Sequence, residues 1–128
     1  REHIRNQGGA VWVAVSDRPN TTTILGAVAA LKTTSTNRIE MAKVSVVDHA
    51  QCNNIAQRLI DTVIRYGQEQ GAELISLETS SILEDAKRLY VRNGFVEKPF
   101  PKPSIYERAD VYMEKNIKSA TQSNKELL

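Results

Sequence analysis

The stretch VSVVDHAQCNNIAQRLI, from Val44 to Ile60, decides how this chain folds. Val44 to Val47 is short and, apart from Ser45, made of β-branched valine, which suits the end of a strand. From Ile55 onward the apolar residues Ile55, Ala56, Leu59, Ile60, Val63 and Ile64 recur at helical spacing, with Asp61, Arg65 and Gln68 on the other side. Between the two lies a small polar connector that includes Gln51, Cys52, Asn53 and Asn54. A strand, a short loop and a helix leave the first backbone N–H groups of the helix without internal acceptors, and the helix dipole favours an anion there. The loop has neither the Gly-Lys-Ser/Thr of a Walker loop nor the glycines of a dinucleotide fingerprint. Spacing alone leaves two readings open: an anion cradle, or a polar turn with water on its amides.

The flanking sequence places this unit in an α/β domain. On the N-terminal side, Val11 to Val15 and Ile24 to Leu31 are apolar, β-prone runs separated by a turn over Ser16–Asn20, which predicts an antiparallel hairpin. A third strand is expected over Arg38–Val47. Its apolar residues are odd-numbered at Ile39 and Met41 but even-numbered at Val44 and Val46. A period of two cannot change phase without an extra residue, so a β-bulge is expected near Ala42–Lys43; the alternative is a strand buried on both faces. On the C-terminal side, Gly71 stops the helix, and Glu73–Glu78 reads as a central strand. Ser81-Ile82-Leu83-Glu84 has the capping-box pattern before a short helix through Ala86, Leu89 and Tyr90, ended by Asn93-Gly94. Phe95-Val96 starts another strand, Pro99, Pro101 and Pro103 stiffen the next loop, and Asp110–Ile117 forms a last strand. Lys118–Leu128 reads as a polar, frayed tail.

Composition limits the function classes. With 128 residues the chain holds one domain, expected over 1–117, with 118–128 as the tail. A net charge of +2 and 5% aromatic content, without a basic cluster, argue against nucleic acid as a partner. The longest apolar run, Ile24–Leu31, is too short for a membrane span. A single cysteine precludes an internal disulfide and suits a reducing, cytoplasmic location. The first residue is Arg1 rather than Met, so the chain reads as a piece of a longer protein, with an anchor outside it left open.

Two segments together resemble the GNAT superfamily of acetyl-CoA-dependent N-acetyltransferases. VSVVDHAQCNNIAQRLI is similar to that family's motif A, with Gln51-Cys52-Asn53-Asn54-Ile55-Ala56 in the place of its Q/R-x-x-G-x-G/A loop. AKRLYVRNGF, Ala86 to Phe95, is similar to its A-x-x-L-Y-x-x-x-G-F signature. The similarity spans roughly Gly9 to Ile117. It implies a GNAT-like acyl-CoA N-acyltransferase fold: a mixed, mostly antiparallel sheet whose central strands splay. It also implies acetyl-CoA as co-substrate, no metal, and a primary amine of a small molecule, lysine or peptide as acceptor.

By the same resemblance, the amides of Gln51, Cys52, Asn53, Asn54, Ile55 and Ala56 hold the CoA diphosphate. The opened backbone at Val44, Ser45 and Val46 pairs with the pantetheine amides. Glu40 matches the position of a base carboxylate in histone-type members, and a carboxylate there takes the amine proton directly or through water. Tyr90 matches the tyrosine that protonates the departing thiolate. Beside these stand the plainer readings: a solvent-facing Glu40, and a Tyr90 packed in the core with a wet hydroxyl. Glu78 is a second carboxylate candidate, and Arg58 or Lys87 is placed to meet CoA phosphates. Cys52 near a helix N-terminus invites a nucleophile role, but beyond His49 no partner is evident; His3 and His49 lack metal-ligand company.

The departures from the family pattern are specific. Asn54 stands where the first loop glycine is expected, and Leu83 where an asparagine precedes the helix alanine. The family's first strand and the two helices that shape its acceptor side are not visible. The motif A run and Leu77-Glu78-Thr79-Ser80 most resemble a branch acting on cysteine conjugates or lysine, some of whose members carry membrane anchors. A non-catalytic CoA-binding or interaction module of the same fold is the alternative, and a homodimer is left open.

Overall fold

The computed structural model describes residues 2–6, 8, 10–32, 37–46, 54–101 and 109–117. Among the described residues seven strands and two helices follow in the order β1 (Glu2–Asn6), β2 (Val11–Arg18), β3 (Thr21–Lys32), β4 (Arg38–Val46), α1 (Ile55–Glu69), β5 (Leu74–Thr79), α2 (Glu84–Arg92), β6 (Val96–Lys98) and β7 (Val111–Asn116). The strands form one sheet in the order β1-β2-β3-β4-β5-β7-β6. Only the β4–β5 pair is parallel; the other neighbours are antiparallel. The mixed, mostly antiparallel sheet expected from the sequence is present.

The hairpin of β2 and β3 forms, with a tighter turn than expected. Ser16, Asp17 and Arg18 pair with Thr23, Thr22 and Thr21, so the ladder continues to a two-residue loop at Pro19-Asn20. Pro19 sets a negative φ and Asn20 takes φ 69°, the order that a type II turn demands. β1 is an addition. The polar sequence EHIRN has no apolar run to reveal it, yet its residues pair antiparallel with β2 from Glu2↔Ser16 to Asn6↔Trp12. Backbone pairing to an existing edge, with Ile4 packed on the core, holds this strand.

The phase change in β4 has the physical cause anticipated for it. Ala29 pairs with Ala42 and Ala27 with Ser45. One residue of β3, Val28, therefore stands opposite two of β4, Lys43 and Val44, which is a bulge. Before it Ile39 and Met41 are buried; after it Val46 turns to the same core.

The core lies on one face of the sheet, where α1 covers the centre. Ile55, Leu59, Ile60 and Val63 of α1 are fully buried against Ile75, Met113 and Val28. Two glycines permit the close approach. A Cβ on Gly26 would lie 2.6 Å from the Ser45 carbonyl oxygen, and one on Gly67 would lie 2.7 Å from Ile117 Cδ1. Gly71, at φ 75°, follows the α1 C-cap as expected. Trp12 meets Tyr66 edge-on at 5.1 Å between ring centres, which closes the core toward β2.

The capping box at Ser81–Glu84 does not form. The N-cap of α2 is Leu83, without a side-chain bond. Ser81 instead donates from its N–H and its Oγ to Asp110, at 2.7 and 2.6 Å. The Asp110 carboxylate accepts both donors of Ser81 in charge-assisted bonds, which turns the hydroxyl toward β7 rather than the helix and ties the segment before α2 to the start of β7. Residues 102–108 and 118–128, expected as a loop and a tail, lie outside the described residues.

Candidate functional site

β4 and β5 pair only through Arg38↔Leu74, Ile39↔Ile75 and Glu40↔Ser76. Both strands continue, β4 to Val46 and β5 to Thr79, but they no longer pair with each other. On its other side β4 stays bonded to β3 through Ser45↔Ala27 and Val46↔Gly26. The bulge at Lys43–Val44 bends β4 away from β5, and the splay expected in the sheet follows from it.

A cleft of about 680 Å³ lies beside the end of β4, lined by Val46, Ala56, Leu83, Leu89, Tyr90 and Arg92 among others. Val46 and Ala56 form one wall and α2 the other. Of the residues proposed for cofactor binding, Val46 and Ala56 meet there, while Val44 and Ser45 lie just before them in β4. The Ile55 side chain is fully buried in the core, so only its backbone is left to face a ligand. Gln51, Cys52 and Asn53 lie outside the described residues.

Asn54 occupies the left-handed region at φ 58°, ψ 24°, as the N-cap of α1, and its side chain makes no capping bond. This is the conformation that glycine adopts without cost and asparagine tolerates best among the other residues. The Asn54 carbonyl accepts the first helical bond, from Arg58 N–H at 3.0 Å. The first turn of α1 carries no acidic residue, so no carboxylate there opposes an anion.

Tyr90 is buried, with its ring edge-on to Phe95 at 5.9 Å between centres. Burial pushes its phenol above the usual value of 10.0, so the group stays protonated throughout the neutral range. The two helices are clamped beside it. Gln57 Nε2 donates to Asn93 Oδ1 at 2.7 Å, and Asn93 Nδ2 donates back to Gln57 Oε1 at 2.9 Å. Asn93 Nδ2 also reaches the Leu89 carbonyl at 2.9 Å.

Glu40 is not part of the cleft lining. It sits at the apex of the splay, in the last β4–β5 pair, half-buried. It alternates with Ile39 and Met41, which face the helices, and so projects from the opposite face of the sheet. There the structure gathers polar groups that sequence reasoning did not connect. Ser76, buried, stands beside Glu40, and Glu114 stands beside Ser76. Arg38 reaches Glu114 at 3.4 Å and the Tyr112 hydroxyl donates to Glu114 at 2.7 Å. Burial first, then the hydrogen bond to Glu114, push the Tyr112 phenol up to about 12. The signal was the alternation in LISLET and VYMEKN, which sets Ser76, Glu78, Tyr112 and Glu114 on one face once the register is known. Glu78 stands opposite Tyr112.

Lys87 is taken by Glu97, at 3.0 Å. His3 lies 3.6 Å from Asp17. Among the described residues no cluster of histidine, cysteine or carboxylate could hold a metal ion, and no helix is long and apolar enough to cross a membrane.

The model of the family described as Acetyltransferase (GNAT) family matches residues 1–95. N-acetyltransferase 8F1 of Rattus norvegicus is 31% identical over 94 residues, covering 70% of this chain and 41% of its own length. N-acetyltransferase 8B of Homo sapiens is 29% identical over 99 residues, covering 74% of this chain and 42% of its own. The chain thus spans about two fifths of the length of the curated relatives it matches. A crystal structure of a GNAT-family acetyltransferase from Staphylococcus aureus Mu50 superposes with a TM-score of 0.77 at 26% identity, covering 87% of this chain and 69% of that one.

Proposed function

The chain belongs to the GNAT acetyltransferase family, and from that premise we propose that it transfers an acetyl group from acetyl-CoA to a primary amine by direct attack. The acceptor class is a small-molecule amine, or a lysine or other amine of a peptide. The observation that carries this reading is the opened end of β4, which faces a cleft shared with the start of α1 and with Tyr90.

The residues present suit such a ligand. When bound, acetyl-CoA supplies an activated thioester. The backbone of Val44, Ser45 and Val46, no longer engaged by β5, would pair with pantetheine amides. The amides leading into α1, through Asn54, Ile55 and Ala56, would take the diphosphate. The left-handed Asn54 supports this, because it gives the turn the shape that a glycine would give. Absence of a Cβ at Gly26 keeps the end of β4 and the base of α1 in close contact.

Glu40, at the apex of the splay but on the face turned from the cleft, would take up through water the proton that the amine loses as nitrogen bonds to the acyl carbon. Tyr90 would hold its proton toward the sulfur as the carbon–sulfur bond breaks. A thiol titrates at about 8.5 and a free phenol at about 10, and burial raises the phenol further. Tyr90 therefore keeps its proton until negative charge has built on sulfur, which makes it a hydrogen-bond donor first and an acid last. Calorimetric titration with acetyl-CoA and desulfo-CoA tests binding, and thiol release with a panel of amines tests turnover. Saturable binding with amine-dependent thiol release is expected; no binding of either ligand refutes the proposal, and binding without release with any amine leaves only a CoA-binding module.

A further inference from the structure

We infer that Arg92 anchors the 3′-phosphate of the CoA adenosine, so that this protein discriminates CoA from 3′-dephospho-CoA. The inference rests on the acyl-CoA reading of the cleft and assigns a residue that the sequence motifs left unused. Ala86, Leu89 and Arg92 recur on one side of α2 at spacings of three, and together with Ile82, which precedes the helix, they line the cleft. Ile82 is 80% exposed and Leu83 53% exposed. This apolar wall is half-buried at Ala86 and Leu89, open at Ile82 and Leu83, and ends in a cation.

Arg92 is the one cationic residue among the described residues lining that cleft. Its neighbours on α2 are already matched: Arg88 bonds to Asp85, and Lys87 pairs with Glu97. No acidic partner takes Arg92 among the described residues. Glu84, the remaining acid in the cleft, is eight residues away along α2, about 12 Å at the helical rise. Acid at one end and base at the other give the cleft a direction, with a ligand's anionic end favoured at Arg92. The backbone there is held in place, because the next residue, Asn93, exchanges two hydrogen bonds with Gln57 of α1. Arg92 is thereby fixed near the first turn of α1, where the diphosphate is assigned. The 3′-phosphomonoester is the one remaining phosphate of CoA, and a guanidinium meets a phosphate through paired N–H donors.

The experiment is calorimetric titration of the wild type, Arg92→Gln and Arg92→Lys with CoA and with 3′-dephospho-CoA. Arg92 is exposed, and circular dichroism with a thermal melt verifies that the variants fold. The wild type is expected to bind CoA roughly tenfold more tightly than 3′-dephospho-CoA, in the range of a charge-assisted hydrogen bond. Arg92→Gln should bind both ligands alike, at the wild-type affinity for dephospho-CoA, and Arg92→Lys should keep part of the preference. Equal loss on both ligands, a preference retained in Arg92→Gln, or no preference in the wild type overturns the assignment while leaving the acyl-CoA site intact. A wild type that binds neither ligand overturns the acyl-CoA reading, and this assignment with it.

Discussion

Replacing Gly26 by alanine tests how the core positions the cleft. The new methyl would lie 2.6 Å from the Ser45 carbonyl oxygen, 3.1 Å from Leu59 Cδ1 and 3.3 Å from Ile55 Cγ2. An unstrained carbon–oxygen contact is about 3.3 Å, so backbone must yield by roughly 0.7 Å on that distance. Nothing flexible absorbs it: the nearest atom is main chain of β4, and the other two belong to fully buried side chains at the base of α1. Overpacking of this kind costs about 1–3 kcal/mol, and the reduced freedom of the unfolded chain returns about 0.4–1 kcal/mol. A net loss of about 1–2 kcal/mol is expected. Gly67→Ala is the control. Its methyl would meet only the tip of Ile117 at 2.7 Å, with the next atoms at 3.6 and 3.7 Å. That tip can rotate, and alanine gains about 1 kcal/mol of helix propensity over glycine, so this variant should be near neutral. Urea unfolding gives both values, and acetyl-CoA titration of folded Gly26→Ala should show weakened binding, because the displaced atoms belong to Ser45 and the start of α1. Gly26→Ala with wild-type stability and affinity, or Gly67→Ala the more damaged of the two, would refute this account of the packing.

Other consequences are equally concrete. Tyr90→Phe keeps the ring against Phe95 and should leave acetyl-CoA affinity within about twofold while lowering kcat by about a hundredfold, the low end for a positioned proton donor; unchanged kcat would remove Tyr90 from the chemistry. Tyr112 titrates higher in the folded protein than in the unfolded chain. Its contribution to stability is therefore whole below pH 10 and lost as pH rises from there through about 12. Tyr112→Phe should flatten that alkaline loss in a series of melts, and an identical slope in both proteins would contradict the shift. Asp110 is held below its usual value mainly by the two bonds from Ser81, so its stabilisation is present above pH 3.8 and fades as pH falls below it. Ser81→Ala should weaken the acid dependence. Gln57→Ala, Asn93→Ala and the double variant should show a coupling of about 1 kcal/mol in a double-mutant cycle, whereas additivity would deny the clamp between the helices.

Much of the fold could be read from local sequence because its signals are periodic. The bulge was visible as a change of phase between Met41 and Val46, and the register of Ala29↔Ala42 and Ala27↔Ser45 bears it out. The stop at Gly71 and the left-handed tolerance of Asn54 follow from single-residue chemistry. What stayed hidden depends on partners distant in sequence. β1 exists because β2 offers it an edge, and no property of Glu2–Asn6 alone declares that. Ser81 carries a capping pattern, but Asp110, 29 residues away, competes for it. The polar group of Arg38, Ser76, Tyr112 and Glu114 spans three strands, so it emerges only once β7 is known to lie beside β5. Arg92 fell at an unspecified position inside a recognised signature, yet its place in the cleft depends on the Gln57–Asn93 pairing between the two helices.

The central claim is that the opened end of β4 and the entry to α1 form one acyl-CoA site. Backbone amide resonances followed during an acetyl-CoA titration test it most directly. Saturable shifts concentrated at Ser45, Val46, Asn54, Ile55 and Ala56, extending along α2 to Arg92, are the expected result. Shifts confined to the opposite face, around Tyr112 and Glu114, or no saturation at all, would contradict it.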